Sequence, residues 1–275
     1  MNIANKFNGL HVFYNDKVFL LTARKIAHSQ CKKIFNFKSV EAFNVDLDTF
    51  EIQITNLNPP ENLVKRYEDS NIIWNSFLEK SEKRDLVILY REPFEHFISS
   101  FFQDFKTNPN TANKLAFSSL FYYFLNHIPG SPLEKEQFIS RYNTEGLSEK
   151  LFYDHTNIFQ EFIKMAFNYY ISFGEYSHNH YTQWLTFIST LYNSDKIDKN
   201  KIKFVDIYEN PIEVQLQPYF EKKLYNNVYT NYKVHNFIFK YITEIIIKNE
   251  KYNKIVTNIL NSEIQFYKKI KNNKL

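Results

Sequence analysis

Two short stretches of the chain have residue types and spacing suited to holding an anion. The first runs from Thr22 to Ser29 and reads Thr-Ala-Arg-Lys-Ile-Ala-His-Ser. If it joins a strand to a helix, free backbone N–H groups and the positive end of the helix dipole converge there, and Lys25 and Ser29 add a charge and a hydroxyl donor. Such a loop suits a phosphate or a sulfate. It is not a Walker loop, because no glycine occurs between Gly9 and Gly130. A basic turn with Ser29 as a capping residue accounts for the same residues. The second stretch, Arg91 to Ser99, reads Arg-Glu-Pro-Phe-Glu-His-Phe-Ile-Ser. An arginine at a strand end can contact a phosphate in bidentate fashion, and Ser99, two turns into a following helix, adds a hydroxyl along one face. Arg91 equally suits an ion pair with a nearby carboxylate.

The elements that would position these stretches are legible in the apolar pattern. His11 to Tyr14 and Val18 to Leu21 read as two short strands around the turn residues Asn15 and Asp16. Thr22 to Lys25 is then a loop, and Ala27, Cys31, Ile34 and Phe35 fall at helical spacing. Pro60 to Lys83 predicts a helix that leads into Leu86 to Tyr90, a second compact apolar run of strand length. Pro93 suits a first helical position, and Phe94, Phe97, Ile98, Phe101 and Phe102 make one apolar stripe. From Thr111 to Ser172 the pattern is mostly helical, broken by Pro129, Gly130, Ser131 and Pro132. Ile202 to Ile207 reads as a third strand, Glu209 to Pro211 opens another helix, and Phe237 to Lys271 predicts one long, Lys-rich amphipathic helix. Strands separated by helices predict an α/β fold: a central parallel sheet flanked by helices, with ligands at the carboxyl ends of the strands. The expected organisation is a single domain over 1–275 with a helical insertion at about 111–172 and a helical tail at about 235–275.

Composition narrows the class. The chain has 275 residues, 44% hydrophobic and 23% charged, which excludes a disordered chain and a disulfide miniprotein. A net charge of +4 is too small to argue for nucleic acid or an anionic membrane. Cys31 is the one cysteine, so no intrachain disulfide can form and a reducing, cytoplasmic setting is expected. Met1 to Leu10 has no apolar run of signal-peptide length, and no stretch of about eighteen apolar residues occurs.

Together the two stretches resemble the sulfotransferases that use 3′-phosphoadenosine-5′-phosphosulfate, and more narrowly the carbohydrate sulfotransferases. Lys25-Ile26-Ala27-His28-Ser29 looks like the family's 5′-phosphosulfate loop. Arg91, Pro93 and Ser99 match the later Arg-x-Pro-x-x-Arg-x-x-Ser motif in type and spacing, with His96 where a second Arg often stands. His180-Tyr181-Thr182-Gln183 is similar to a His-Trp-x-x-Gln segment, and Phe204 to Asn210 resembles a later strand with a Glu-Asn turn. Ala23 departs from the proline that often precedes the basic residue.

The resemblance implies a P-loop-like sulfotransferase fold and transfer of a sulfuryl group to a hydroxyl of a glycan or similar acceptor, with no metal, nucleic acid or membrane partner. It places Arg24, Lys25, Ala27, His28 and Ser29 around the 5′-phosphosulfate and Arg91 and Ser99 on the 3′-phosphate. Lys25 would stabilise the leaving phosphate. The base for the acceptor is sought among His180, His178, His28 and Glu175, with His180 first and His178 beside it, since an unperturbed imidazole titrates near neutral pH. A His178-x-His180 zinc pair lacks a third ligand nearby in sequence. Two other readings remain: a small-molecule kinase, which the scarcity of glycine disfavours, and a non-catalytic glycan- or polyanion-binding module on a decayed nucleotide site.

Overall fold

The computed structural model describes residues 6–7, 9–23, 26–36, 39–40, 44–53, 61–79, 83–106, 126–127, 129–145, 148–173, 183–209, 211–224, 233–273 and 275. Its strands are β1 (Lys6–Phe7), β2 (Leu10–Tyr14), β3 (Val18–Ala23), β4 (Ser39–Val40), β5 (Asn44–Asp46), β6 (Ile52–Gln53), β7 (Asp85–Tyr90) and β8 (Ile202–Asp206). Its α-helices are α1 (His28–Ile34), α2 (Glu61–Leu78), α3 (Pro93–Lys106), α4 (Pro132–Glu145), α5 (Glu149–Asp154), α6 (Thr156–Phe173), α7 (Trp184–Asn193), α8 (Ile212–Leu216), α9 (Lys233–Lys248) and α10 (Glu250–Lys271). Two compact units result: 1–96 with 181–228 and 260–275, and 97–180 with 229–259.

The first unit is built on a five-stranded sheet in the order β4-β2-β3-β7-β8. β3, β7 and β8 run parallel, with Leu20 opposite Val87 and Leu89 opposite Val205. Every residue of β3 is buried, as are Leu86 to Tyr90 of β7. Their sequences are therefore continuous apolar runs rather than alternations, the mark of strands covered on both faces. The parallel ladder expected from the sequence is present, and antiparallel strands extend the sheet beyond β3. β2 pairs antiparallel with β3, and β4 antiparallel with β2. The reason is local. Asn15 accepts hydrogen bonds on Oδ1 from the N–H groups of Lys17 (2.8 Å) and Val18 (3.0 Å), closing a tight turn that only an antiparallel neighbour can follow. β1, β5 and β6 form a separate small antiparallel sheet that the apolar pattern did not reveal.

Two tryptophans tie helices to this framework. Trp184 is fully buried at the start of α7 and donates its indole N–H to the Leu89 carbonyl at 2.8 Å. Trp74 of α2 donates to the Phe50 carbonyl at 2.6 Å and stacks on Phe77, whose ring meets Phe19 edge-on. The helix α7 has no side-chain cap of its own from Gln183. The cap comes from far along the chain: the Glu263 carboxylate, 1% exposed, accepts from the Leu185 N–H at 2.6 Å. A negative charge at that point also meets the positive end of the α7 dipole.

The second unit is helical, with an aromatic core. Phe97 and Phe101 of α3 meet Phe167 and Tyr170 of α6 edge-on, and Phe138 and Tyr142 of α4 pack on Phe162 of α6. The break at Pro129 to Pro132 is the start of α4, where Ser131 and Glu134 cap each other: Glu134 accepts from the Ser131 N–H at 2.9 Å, and Ser131 Oγ accepts from the Glu134 N–H at 3.3 Å. The long helix expected over Phe237 to Lys271 is two helices. Asn249 stops α9 and caps α10, its Oδ1 accepting from the Tyr252 N–H at 3.2 Å, because an Asn side chain competes with the helical backbone for local hydrogen bonds. No helix among the described residues is long and apolar enough to cross a membrane.

Glu263→Ala should strip α7 of its cap and lower unfolding free energy by about 1.5–3 kcal/mol, the usual worth of a buried charge-assisted hydrogen bond. Glu263→Gln, which keeps an acceptor, should cost less. Urea titration followed by tryptophan fluorescence checks both, and equal midpoints for wild type and Glu263→Ala would remove the cap from the account.

Candidate functional site

The carboxyl ends of β3, β7 and β8 lie along one edge of the parallel ladder, and the residues that follow them form the candidate site. After β3 the chain turns at once. The Ile26 N–H donates to the Ala23 carbonyl at 3.1 Å, and the Thr22 hydroxyl donates to the Ile26 carbonyl. Ala27 then takes φ 54°, and its carbonyl receives the N–H groups of Gln30 and Cys31, both at 3.0 Å, which starts α1. The left-handed turn that a glycine usually makes is thus made by an alanine, at a cost of roughly 1–2 kcal/mol. Arg24 and Lys25 lie outside the described residues.

His28 is half-buried at the first position of α1, with its ring centroid 3.7 Å from that of the buried His11 on β2. Ser29 is exposed at the second. On the other face of α1, Cys31 is fully buried and its thiol is pushed well above the usual range by burial and by Glu213 nearby. Gln30 donates to the buried Glu213 at the start of α8, which joins the element after β3 to the one after β8.

After β7, Arg91 leads directly into Pro93 at the first position of α3, as the sequence predicts. Glu92 caps this helix. Its carboxylate accepts from the Glu95 N–H at 2.7 Å and its carbonyl from the His96 N–H at 2.9 Å. Burial pushes the Glu92 carboxyl above its ordinary range, against the opposing effect of the backbone N–H groups of Glu95 and Phe94. His96, the family-motif variant, is buried at 2% exposure and points away from solvent. Ser99 is half-buried one turn further along α3, in the part belonging to the second unit.

Arg91 itself is engaged by two groups that sequence reading did not single out. Its Nε lies 3.8 Å from Glu95 Oε2, and its guanidinium carbon sits 5.0 Å from the ring centroid of Tyr208, in the turn after β8. Tyr208 keeps 54% of its surface open. Burial of the rest, together with the Glu95 carboxylate and despite Arg91, raises the phenol and keeps it a donor. The Glu95 contact is legible in retrospect as an i,i+4 pair. Tyr208 is not, because its place beside Arg91 depends on β8 pairing with β7.

Beyond Tyr208 the edge is closed by a second ion pair. Asp206, buried at the end of β8, accepts from the Tyr208 N–H at 2.9 Å and pairs with Lys271 Nζ at 2.8 Å. Lys271 also bonds Glu209 and lies over the rings of Tyr90 and Tyr267. Burial alone would lower Lys271, but the hydrogen bonds to Asp206 and Glu209 outweigh it and hold the ammonium well above its usual range. The Tyr90 hydroxyl is pushed up to about 12 by burial and by Asp206.

His178, His180 and Glu175 lie outside the described residues, as does Asn210 of the Glu-Asn turn. Among the described residues no group of three or more His, Cys, Asp or Glu is placed to hold a metal ion. The chain matches no family model, and comparison with curated proteins and with solved structures found no match.

Two predictions follow from this geometry. Ala27→Gly should be neutral or stabilising by up to about 1 kcal/mol, since relief of left-handed strain is partly offset by glycine's entropy, whereas Ala27→Val should lower the thermal midpoint. Lys271→Met should cost about 3 kcal/mol at neutral pH by leaving buried Asp206 without its counter-charge. Because the folded lysine titrates above the unfolded one, the wild-type pair contributes fully below about pH 10.4 and loses its contribution as pH rises further, through the folded value. Denaturant midpoints measured for both chains between neutral and strongly alkaline pH should therefore converge at the alkaline end.

Proposed function

We propose that this chain is a sulfotransferase that moves the sulfuryl group of 3′-phosphoadenosine-5′-phosphosulfate to a hydroxyl of a glycan or similar acceptor. The observation that carries the reading is the parallel pairing of β3 with β7. It makes the basic loop after Ala23 and Arg91 after Tyr90 leave adjacent strands at the same end, the spacing of strands being about 4.8 Å. A donor with two separate phosphate groups needs two anion subsites side by side, and these two loops supply one each.

In this proposal Lys25, assisted by Arg24 and Ser29, neutralises the 5′-phosphate as the S–O bond to it breaks, and Ala27 and His28 complete the loop around the phosphosulfate. The acceptor oxygen forms the new bond to sulfur, its proton passes to a base, and 3′,5′-adenosine bisphosphate leaves with the electron pair of the broken bond. Arg91 holds the 3′-phosphate. Ser99 as its partner and His180, or else His178, as the base keep the roles that the sequence resemblance implies. A cytoplasmic setting, with access to the soluble donor, belongs to the same reading.

Calorimetric titration of the protein with 3′,5′-adenosine bisphosphate, beside ATP, tests it. Selective binding of the bisphosphate is expected, weakened about 10- to 100-fold in Arg91→Ala by loss of a charge-assisted contact. Equal affinity in the variant would sink the 3′-phosphate assignment, and absence of binding would leave the binding-module reading in its place. With the donor and an acceptor, Lys25→Ala should lower turnover more than donor affinity if its charge acts mainly in the transition state.

A further inference from the structure

We propose that Glu95 is a built-in competitor for the anion at Arg91, so that affinity at this edge of the sheet is set by exchange of an internal carboxylate for the ligand. The inference rests on the reading of Arg91 as a phosphate anchor.

Arg91 and Glu95 stand one turn apart at the start of α3, 3.8 Å between Nε and Oε2. The arginine side chain is only 11% exposed, and that of Glu95 36%. Tyr208 adds a second contact to the arginine, its ring centroid 5.0 Å from the guanidinium carbon. Other carboxylates of the edge have hydrogen-bond partners of their own. Asp206 and Glu209 both bind Lys271, and Glu92 caps α3 through the Glu95 N–H. Glu95, whose Oε2 lies 3.8 Å from Arg91 Nε, is a carboxylate that an incoming phosphate meets at Arg91.

Two costs arise when the phosphate arrives. The Arg91–Glu95 pair must loosen, and a phosphate dianion must sit within a few ångströms of a carboxylate of like charge. The phosphate still gains, since it brings more charge and more acceptor oxygens to the guanidinium than one carboxylate does. Discrimination follows: a weakly charged anion cannot displace Glu95, whereas a dianion can. The Tyr208 ring stays under the guanidinium throughout and preserves its orientation.

The full-length wild type, Glu95→Gln, Arg91→Ala and the double variant are titrated with 3′,5′-adenosine bisphosphate, with circular dichroism confirming helix content. Glu95→Gln keeps the shape and removes the charge, so it should bind about three- to tenfold more tightly than wild type. Glu95→Ala should show the same gain, which guards against a folding defect in either variant. In the Arg91→Ala background the gain should vanish. No gain in Glu95→Gln, with binding still weakened in Arg91→Ala, overturns the role of Glu95 and leaves the anchor intact. A gain that persists in the double variant also overturns it, because Glu95 would then act on the general field rather than through Arg91. Failure of every chain to bind overturns both the competitor and the anchor.

Discussion

A strand covered on both faces has no water within reach of its backbone, so each N–H and C=O along it must find a partner in a neighbouring strand. β3 is in that position, with every residue buried, and it is paired along both edges, to β2 on one side and β7 on the other. β7 passes the requirement on to β8. Much else in the first unit follows from this obligation. The parallel pairings set the carboxyl ends of three strands along one edge, and whatever chemistry the loops carry is collected there.

That edge is rich in charge held close to an apolar core, and the charges are arranged in pairs because isolated ones would be costly. Asp206 at the end of β8 is buried and is answered by Lys271 from the last helix. Arg91 at the end of β7 is answered by Glu95 and by the face of Tyr208. The two pairs differ in kind. Lys271 is gripped by two carboxylates and lies over two aromatic rings, so it locks the helical tail onto the sheet. Arg91 meets the Glu95 carboxylate at 3.8 Å, a looser arrangement.

The second unit answers a different demand. Its described residues form no sheet, and its helices pack aromatic side chains against one another, Phe152 against Phe237 with 4.0 Å between ring centroids. Edge-to-face contacts such as Phe101 with Phe167 fill space with rigid rings that lose little rotamer entropy. Several of the chain's 28 Phe residues, among them Phe101, Phe138, Phe159 and Phe167, are buried in this unit, a core role for aromatic residues.

What the sequence by itself determined is local. The unbroken apolar runs at Val18 to Leu21 and Leu86 to Tyr90, the turn at Asn15 and the proline opening α3 each follow from a periodicity or a dihedral preference confined to a few neighbouring residues, and each stands in the structure where the pattern puts it. Arg91 was legible as a strand-end residue for the same reason. Only the tertiary structure decided which strands are neighbours, that the hairpin makes the sheet mixed, and that Asn249 divides the last helix in two. It also decided the partners of the charges: Glu263 with the α7 N-terminus, Lys271 with Asp206, and Tyr208 with Arg91. Hydrophobic periodicity records how an element faces the core, but it carries no address for the element across the core. The pairing of distant groups is fixed by strand order and helix docking, where the contributions of many residues are summed and no single stretch holds the signal.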